Sequence, residues 1–246
     1  RQFCHDIGIS KQDSIIDIGQ LEATLRNDLN HNAPRKMVVL KPLKITITNY
    51  KSNDEKLNLP NHPQRPELGQ RQIPFAKHLF IEQDDFAEIP PPKFHRLSPG
   101  KEVRLMNAYV IYCDKVIKNS AGEVIELECT YLPETLGGKK PNHGKKVKGI
   151  IHWLPVEASI DAEVRLYDRL FLAANPASHD DLMASLNPES LEIMTDAKVE
   201  ASLADAAPED AYQFNRLGYF CADQFDHNQQ RLVFNRSVSL RETWQQ

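Results

Sequence analysis

The chain has 246 residues, 41% of them hydrophobic, with sixteen Pro against ten Gly and a formal net charge of −4. That size admits one large β domain or two smaller ones, and no apolar run approaches the roughly 20 residues that span a bilayer. An acidic balance excludes a broadly basic, indiscriminate nucleic-acid binder, so any RNA partner must be met by cations gathered locally on an acidic body.

Four cysteines (Cys4, Cys113, Cys129, Cys221) lie far apart without a CxxC. This argues against a zinc ribbon or a disulfide framework and suits a reducing cytoplasm. The nine His show no HExxH or other ligand spacing, so no metal site is expected. The start, Arg1-Gln2-Phe3-Cys4-His5, has neither an initiator Met nor a signal-peptide pattern and reads as the cut edge of a longer protein.

In chain order, residues 1–35 read as helical. Ile18, Leu21, Leu25 and Leu29 form one apolar stripe, Asp17 with Gln20 resembles a capping box, and Asn32-Ala33-Pro34 ends the helix. From Met37 the period becomes two: Leu43, Ile45 and Ile47 alternate with Lys44, Thr46 and Thr48, a half-buried strand. Four prolines predict an irregular stretch over 51–75, which carries Asn61, His62, Gln64, Arg65, Arg71 and Gln72. It reads as a recognition loop or a surface connection. Leu79-Phe80-Ile81 is a short strand and Asp84-Asp85-Phe86 a turn.

The most informative stretch is 93–112. Lys93, His95 and Arg96 lead into a Ser98-Pro99-Gly100 turn, and a strand then runs from Lys101 and Arg104 to Tyr109-Val110-Ile111-Tyr112. Cations and flat rings on a sheet rim suit phosphates and unstacked bases; a solvated turn on an ordinary barrel is the other reading. A return strand places Ile125, Leu127, Cys129 and Tyr131 on one face and Glu126, Glu128 and Thr130 on the other. That acidic face would repel phosphate. Lys139 to Lys148 holds five lysines in ten residues, a phosphate contact or a solubilising loop.

Gly149-Ile150-Ile151-His152-Trp153 reads as an apolar strand with a packed core histidine. Strands follow at 164–171, 191–194, 212–220 and 232–236, with a helical turn from Asp180 to Leu186. The order of features in 37–153 is echoed in 164–240, which suggests two related β-barrels joined near 155–163, with exchange of strands between them allowed. No GxGxxG, GxxxxGK[ST] or GxSxG is present, so nothing assembles a nucleotide pocket or a nucleophile. On its residues alone the chain is a binding module.

Several stretches together resemble the C-terminal, anticodon-binding half of bacterial-type glutaminyl-tRNA synthetases, a family of class I aminoacyl-tRNA synthetases. They are Arg1-Gln2-Phe3-Cys4 with Gly8 and Lys11-Gln12-Asp13, Leu29-Asn30-His31-Asn32-Ala33-Pro34-Arg35, Pro60-Asn61-His62-Pro63 and Gly100-Lys101-Glu102-Val103-Arg104-Leu105. Further along come Lys146-Val147-Lys148-Gly149, Ile151-His152-Trp153, residues 165–171, Asn187-Pro188-Glu189-Ser190-Leu191 and Gly218-Tyr219-Phe220-Cys221.

The resemblance implies a mainly β fold. A helical tail of the catalytic half (1–35) would precede two six-stranded-type barrels of the ribosomal-protein-like anticodon-binding kind, over 36–158 and 159–246. It implies that Asn30, Arg35, Gln64, Arg96, Arg104, Gln213 and Arg216 contact the anticodon, the last two lines of contact (Gln213 with Arg216) reading the central base. Lys93, Lys101, Lys145 and Lys146 are the expected phosphate contacts.

Family departures are Met106 where a second arginine is frequent, Gln64 for Asn and His95 for Lys, which loosen the pocket for the first anticodon base. The HIGH and KMSKS-type signatures are missing. The implied partners are the tRNA(Gln) anticodon stem-loop and a catalytic half that carries ATP and Mg, with no cofactor here. A cytoplasmic monomer without membrane contact is expected. Competing readings are the anticodon-binding part of a glutamyl-tRNA synthetase, an rRNA-binding barrel protein and a protein-interaction module.

Overall fold

A computed structural model describes residues 1–8, 11, 15–52, 54–172 and 181–241. Gln12 and Asp13 of the family motif, and Asp180 of the expected helical turn, lie outside the described residues. The described chain is mainly β: a short helical segment comes first and two barrel-like sheets follow.

The chain opens with α1 (Gln2–Ile7) and α2 (Ile18–Asn32). Asp17 caps α2, its side chain accepting a hydrogen bond from Gly19 N at 2.6 Å. This meets one of the orphan donors of the first turn. Ala33, extended before Pro34, ends the helix. The apolar stripe divides in two. Leu25 and Leu29 pack against Ala33, Tyr219 and Val238, whereas Ile18 and Leu21 remain 48% and 40% exposed.

Packing divides the chain into two compact units. The middle unit comprises Lys36–Ala162 and Thr195–Asp205; the helix-bearing unit comprises Arg1–Arg35, Glu163–Met194 and Ala206–Gln246. After β1 (Arg35–Lys36), β2 (Val38–Val39), β3 (Pro42–Ile47), β4 (Lys56–Pro60), β5 (Gln70–Pro74), β6 (His78–Glu82), β7 (Glu102–Leu105), β8 (Val110–Lys118), β9 (Val124–Leu132), β10 (Ile150–Ile151) and β11 (Leu154–Pro155), the middle unit holds a sheet in the order β10-β7-β8-β9-β3-β6-β11. Its two edge strands are separated in sequence only by His152 and Trp153. The sheet therefore curls back on itself at this joint. Trp153 is fully buried, its Nε1–H donating to Met106 O at 3.0 Å, and its ring meets Phe75 edge-on at 5.3 Å. Such aromatic pairs contribute about 0.5–1.5 kcal/mol beyond the area they bury.

Three local expectations are corrected. Residues 51–75 are not irregular throughout, because β4 and β5 pair as a hairpin in which Lys56 faces Pro74 and Pro60 faces Gln70. Pro60 and Pro74 sit at strand ends, Pro63 and Pro66 lie in the turn between the strands, and Leu57, Leu59 and Ile73 are buried. The 101–112 stretch is two strands. β7 turns into β8 at Met106-Asn107, with Asn107 at φ 55, a left-handed position that Asn tolerates. Residues 212–220 are likewise a hairpin.

In the helix-bearing unit, β12 (Ser159–Tyr167), β13 (Leu191–Glu200), β14 (Ala211–Phe214), β15 (Gly218–Ala222) and β16 (Leu232–Ser239) follow the order β14-β15-β16-β12-β13. The division between units falls inside β12 and inside β13, whose distal half pairs with β2 in the middle unit. Arg165 ties the helix-bearing sheet together through Glu163 (2.6 Å), Asp226 (2.6 Å) and Asp223 (3.4 Å).

Candidate nucleic-acid interface

The middle unit carries a cleft of ≈ 670 Å³ between the 90–101 segment, the facing ends of β7 and β8, and the 143–149 loop. Lys93, Arg96, Lys101, Lys145, Lys146 and Lys148 line it, together with His95, His143 and Tyr112. Backbone geometry explains how these residues meet. Lys93 and Gly100 take left-handed φ values of 65 and 68, which fold the 93–100 segment back over the sheet. Gly149 lets the lysine loop approach that segment: a Cβ there would lie 1.7 Å from His95 O. No side chain fits, so the walls close only because residue 149 is glycine.

Charge is distributed unevenly in this cleft. Arg96 is anchored, with Nη1 donating to Asp84 O at 2.9 Å and Nε 3.3 Å from the buried Asp85 carboxylate. Among the described residues, the side chains of Lys93, Lys101, Lys145, Lys146 and Lys148 have no hydrogen-bond or ion-pair partner within the protein. Clustered cations without partners raise the local positive potential, and an anionic chain entering the cleft would relieve their mutual repulsion. Glu102 is the one carboxylate on the wall, and it is engaged by His143 Nε2 at 2.9 Å.

Arg104 lies outside the cleft lining. Its guanidinium donates to two backbone carbonyls, Thr135 O (2.8 Å) and Lys139 O (2.6 Å), so it holds the start of the lysine loop. Burial pushes its pKa down from the ordinary arginine value. Met106, half-buried, packs against the core. Gln64 is exposed on the turn between β4 and β5, also away from the cleft. That turn is held by the buried Arg71, which donates to Pro60 O at 2.9 Å and pairs with Glu200 at 2.6 Å.

The other candidates lie in the helix-bearing unit, where Asn30 and Arg35 meet Tyr219. Arg35 Nη2 donates to both Asn30 O and Asn30 Oδ1 at 2.9 Å, and Tyr219 OH donates to the same Oδ1 at 3.1 Å. The guanidinium lies 6.0 Å from the Tyr219 ring centroid. Burial lowers the Arg35 pKa, while Tyr219 acts in the opposite direction. Gln213 faces Tyr219 across the β14–β15 pair, and its backbone N–H donates to Pro34 O at 2.9 Å. Arg216 sits in the hairpin turn at φ 68. Of these residues, the sequence reading marks Tyr112 as a rim aromatic but gives no site role to Tyr219, His143, Glu102 or Gly149. The lysine loop reads from sequence as flexible; the local signal for its fixed geometry is the Pro141-Asn142-His143-Gly144 turn sequence.

Among the described residues no group of three His, Cys, Asp or Glu could hold a metal ion, and no helix is long and apolar enough to cross a membrane. Residues 33–132 match one model, and 150–223 a second, of the tRNA synthetases class I (E and Q) anti-codon binding domain. The chain is 49% identical over 248 residues to a glutamine–tRNA ligase of Pseudomonas syringae pv. tomato, covering 99% of this chain and 43% of that protein. It is 50% identical over 245 residues to one of Vibrio campbellii (99% and 44%), and 50% over 244 residues to one of Proteus mirabilis (99% and 43%). The chain thus spans less than half the length of these curated relatives. With two successive matches covering more than two thirds of its residues, the chain belongs to the anticodon-binding domains of the class I tRNA synthetases for glutamate and glutamine.

Proposed function

We propose that this chain binds the anticodon stem-loop of tRNA(Gln) as the C-terminal part of a glutamine–tRNA ligase. The observation that carries this reading is the gathering of Lys93, Arg96, Lys101, Lys145, Lys146 and Lys148 at one cleft of a chain whose net charge is −4. Phosphates contact the free lysines, while bases are read by side chains already held in place. The matched models serve both glutamate and glutamine enzymes, and the relatives near 50% identity favour glutamine.

Residue roles follow within this reading. Lys93, Lys101, Lys145 and Lys146 meet phosphates, and Arg96, steadied by Asp85, holds a base or its phosphate. Gln213 and Arg216 read the central base beside Asn30 and Arg35. A Gln side chain offers donor and acceptor to a uracil edge, and an arginine adds charge-assisted donors. Gln64 and Arg104 complete the set, Arg104 also by fixing the lysine loop. Glutamine activation, with its ATP and Mg, belongs to the catalytic half of a cytoplasmic, monomeric enzyme.

Titration of a fluorescent glutamine-type anticodon stem-loop with this chain, repeated over a range of salt, tests the reading. Log affinity should fall linearly with log salt, by about 0.7 for each single-stranded phosphate neutralised. Binding that is absent, or indifferent to salt, would overturn it. Glutamine-dependent ATP–pyrophosphate exchange should be missing from the chain alone.

A further inference from the structure

Glu102 stands where electrostatics alone would not place it, on the wall of a cleft otherwise lined by cations. Both of its carboxylate oxygens lie within hydrogen-bond reach of His143 Nε2, at 2.9 and 3.1 Å. The other ring nitrogen, Nδ1, accepts from the backbone N–H of Lys145 at 3.1 Å. The imidazole therefore bridges strand β7 to the segment carrying Lys145 and Lys146, and one tautomer, protonated at Nε2, satisfies both contacts.

The remaining ties of this loop lie before and after that segment. Arg104 holds Lys139 O, Glu134 Oε1 accepts from Asn142 N at 3.3 Å, and Gly149 seats against His95 O. Between them, among the described residues, the Glu102–His143 pair is the one hydrogen-bonded side-chain tie from residues 143–148 to the rest of the unit.

We propose that Glu102 and His143 form a latch that positions Lys145 and Lys146 at the cleft, so that a carboxylate on a phosphate-binding wall increases RNA affinity. The proposal rests on the RNA-binding reading above. It makes Glu102 and His143 positioning residues. Flexible lysines lose rotamer and loop entropy when they are drawn onto a phosphate chain, and a loop already held in place loses less on binding. Field strength and latch predict opposite signs for removal of the carboxylate. If charge alone matters, deleting Glu102 strengthens binding; if the latch matters, deletion weakens it.

The test compares the chain with its Glu102→Ala, Glu102→Gln and His143→Ala variants on the glutamine-type anticodon stem-loop, titrated across salt. Glu102→Ala and His143→Ala should weaken binding several-fold. Their salt slopes should become shallower by about 0.7–1.4, the loss of one or two phosphate contacts. Glu102→Gln keeps an acceptor for His143 Nε2–H without the charge, so it should bind at least as tightly as the unaltered chain. His143→Ala, on an exposed loop, serves as the second variant should Glu102→Ala in strand β7 fail to fold. If the unaltered chain binds and Glu102→Ala binds equally or more tightly, the latch is overturned and the RNA-binding reading survives. If the unaltered chain shows no salt-dependent binding, the RNA-binding reading itself fails and the latch with it.

Discussion

The cleft of the middle unit and the Asn30–Arg35–Tyr219 cluster of the helix-bearing unit use cations in opposite ways. Among the described residues, five lysines of the cleft project without protein partners, whereas Arg96 is anchored. In the cluster, Arg35 is 9% exposed and bonded through Asn30 to Tyr219. Free, hydrated ammonium groups suit phosphate, whose charge matters more than its direction. A held guanidinium beside Gln213 suits a base edge, where direction is everything. Under the proposed function, affinity would come mainly from the cleft and discrimination mainly from the cluster.

The largest effect is expected at a buried charge of the middle unit that lies outside the cleft lining. Glu200 is 2% exposed, pairs with Arg71 at 2.6 Å and Lys36 at 3.3 Å, and accepts from Met37 N at 3.0 Å. Glu200→Ala removes the carboxylate shared by two buried cations, and urea unfolding should show a loss of about 3–5 kcal/mol. A loss below 1 kcal/mol would mean that these cations reach water easily.

A smaller effect separates the units by acid. Asp223 accepts from the Asp226 backbone, from Asn235 Nδ2 and from the Phe225 backbone, contacts that lower its pKa to about 2. A depressed carboxylate contributes stability fully above its unfolded value and loses it as pH falls through the folded one. Between pH 4 and about 2, the helix-bearing unit should therefore lose up to about 2 kcal/mol that Asp223→Asn has already lost. Thermal midpoints of the two proteins should converge at the acid end. Parallel curves would mean that Asp223 contributes no acid-dependent stability.

The smallest effect on the fold should come from the cleft itself. Lys145→Ala with Lys146→Ala should leave stability within about 0.5 kcal/mol. RNA binding should weaken almost uniformly across loop sequences, with a salt slope shallower by about 1.4 for two lost phosphates. A sequence-selective loss would mean that these lysines read bases.

Much of this fold was legible because its signals are local. The 43–47 alternation, the Asp17 cap and the Pro34 stop each depend on neighbours within one turn or one strand. The turn at Met106-Asn107 was not legible, since it uses Asn107 in place of a Gly or Pro marker. Nor was the run of β13 beyond Met194, whose partner Val38-Val39 lies far away in sequence. In the candidate interface, the lysines were found by their density. The inward turn of Arg35 and Arg104 onto backbone carbonyls was hidden, because a carbonyl acceptor carries no residue identity. Glu102 and His143 are 41 residues apart, so their pairing could be seen only in three dimensions.

On the proposed function, base discrimination would reside in the helix-bearing cluster. The most direct test is binding of this chain to a glutamine-type anticodon stem-loop and to a copy altered only at the central base, with Gln213→Ala in parallel. The unaltered chain should discriminate by about 1–3 kcal/mol, and Gln213→Ala should lose that discrimination. Equal affinity for the two loops, or discrimination that survives Gln213→Ala, would contradict it.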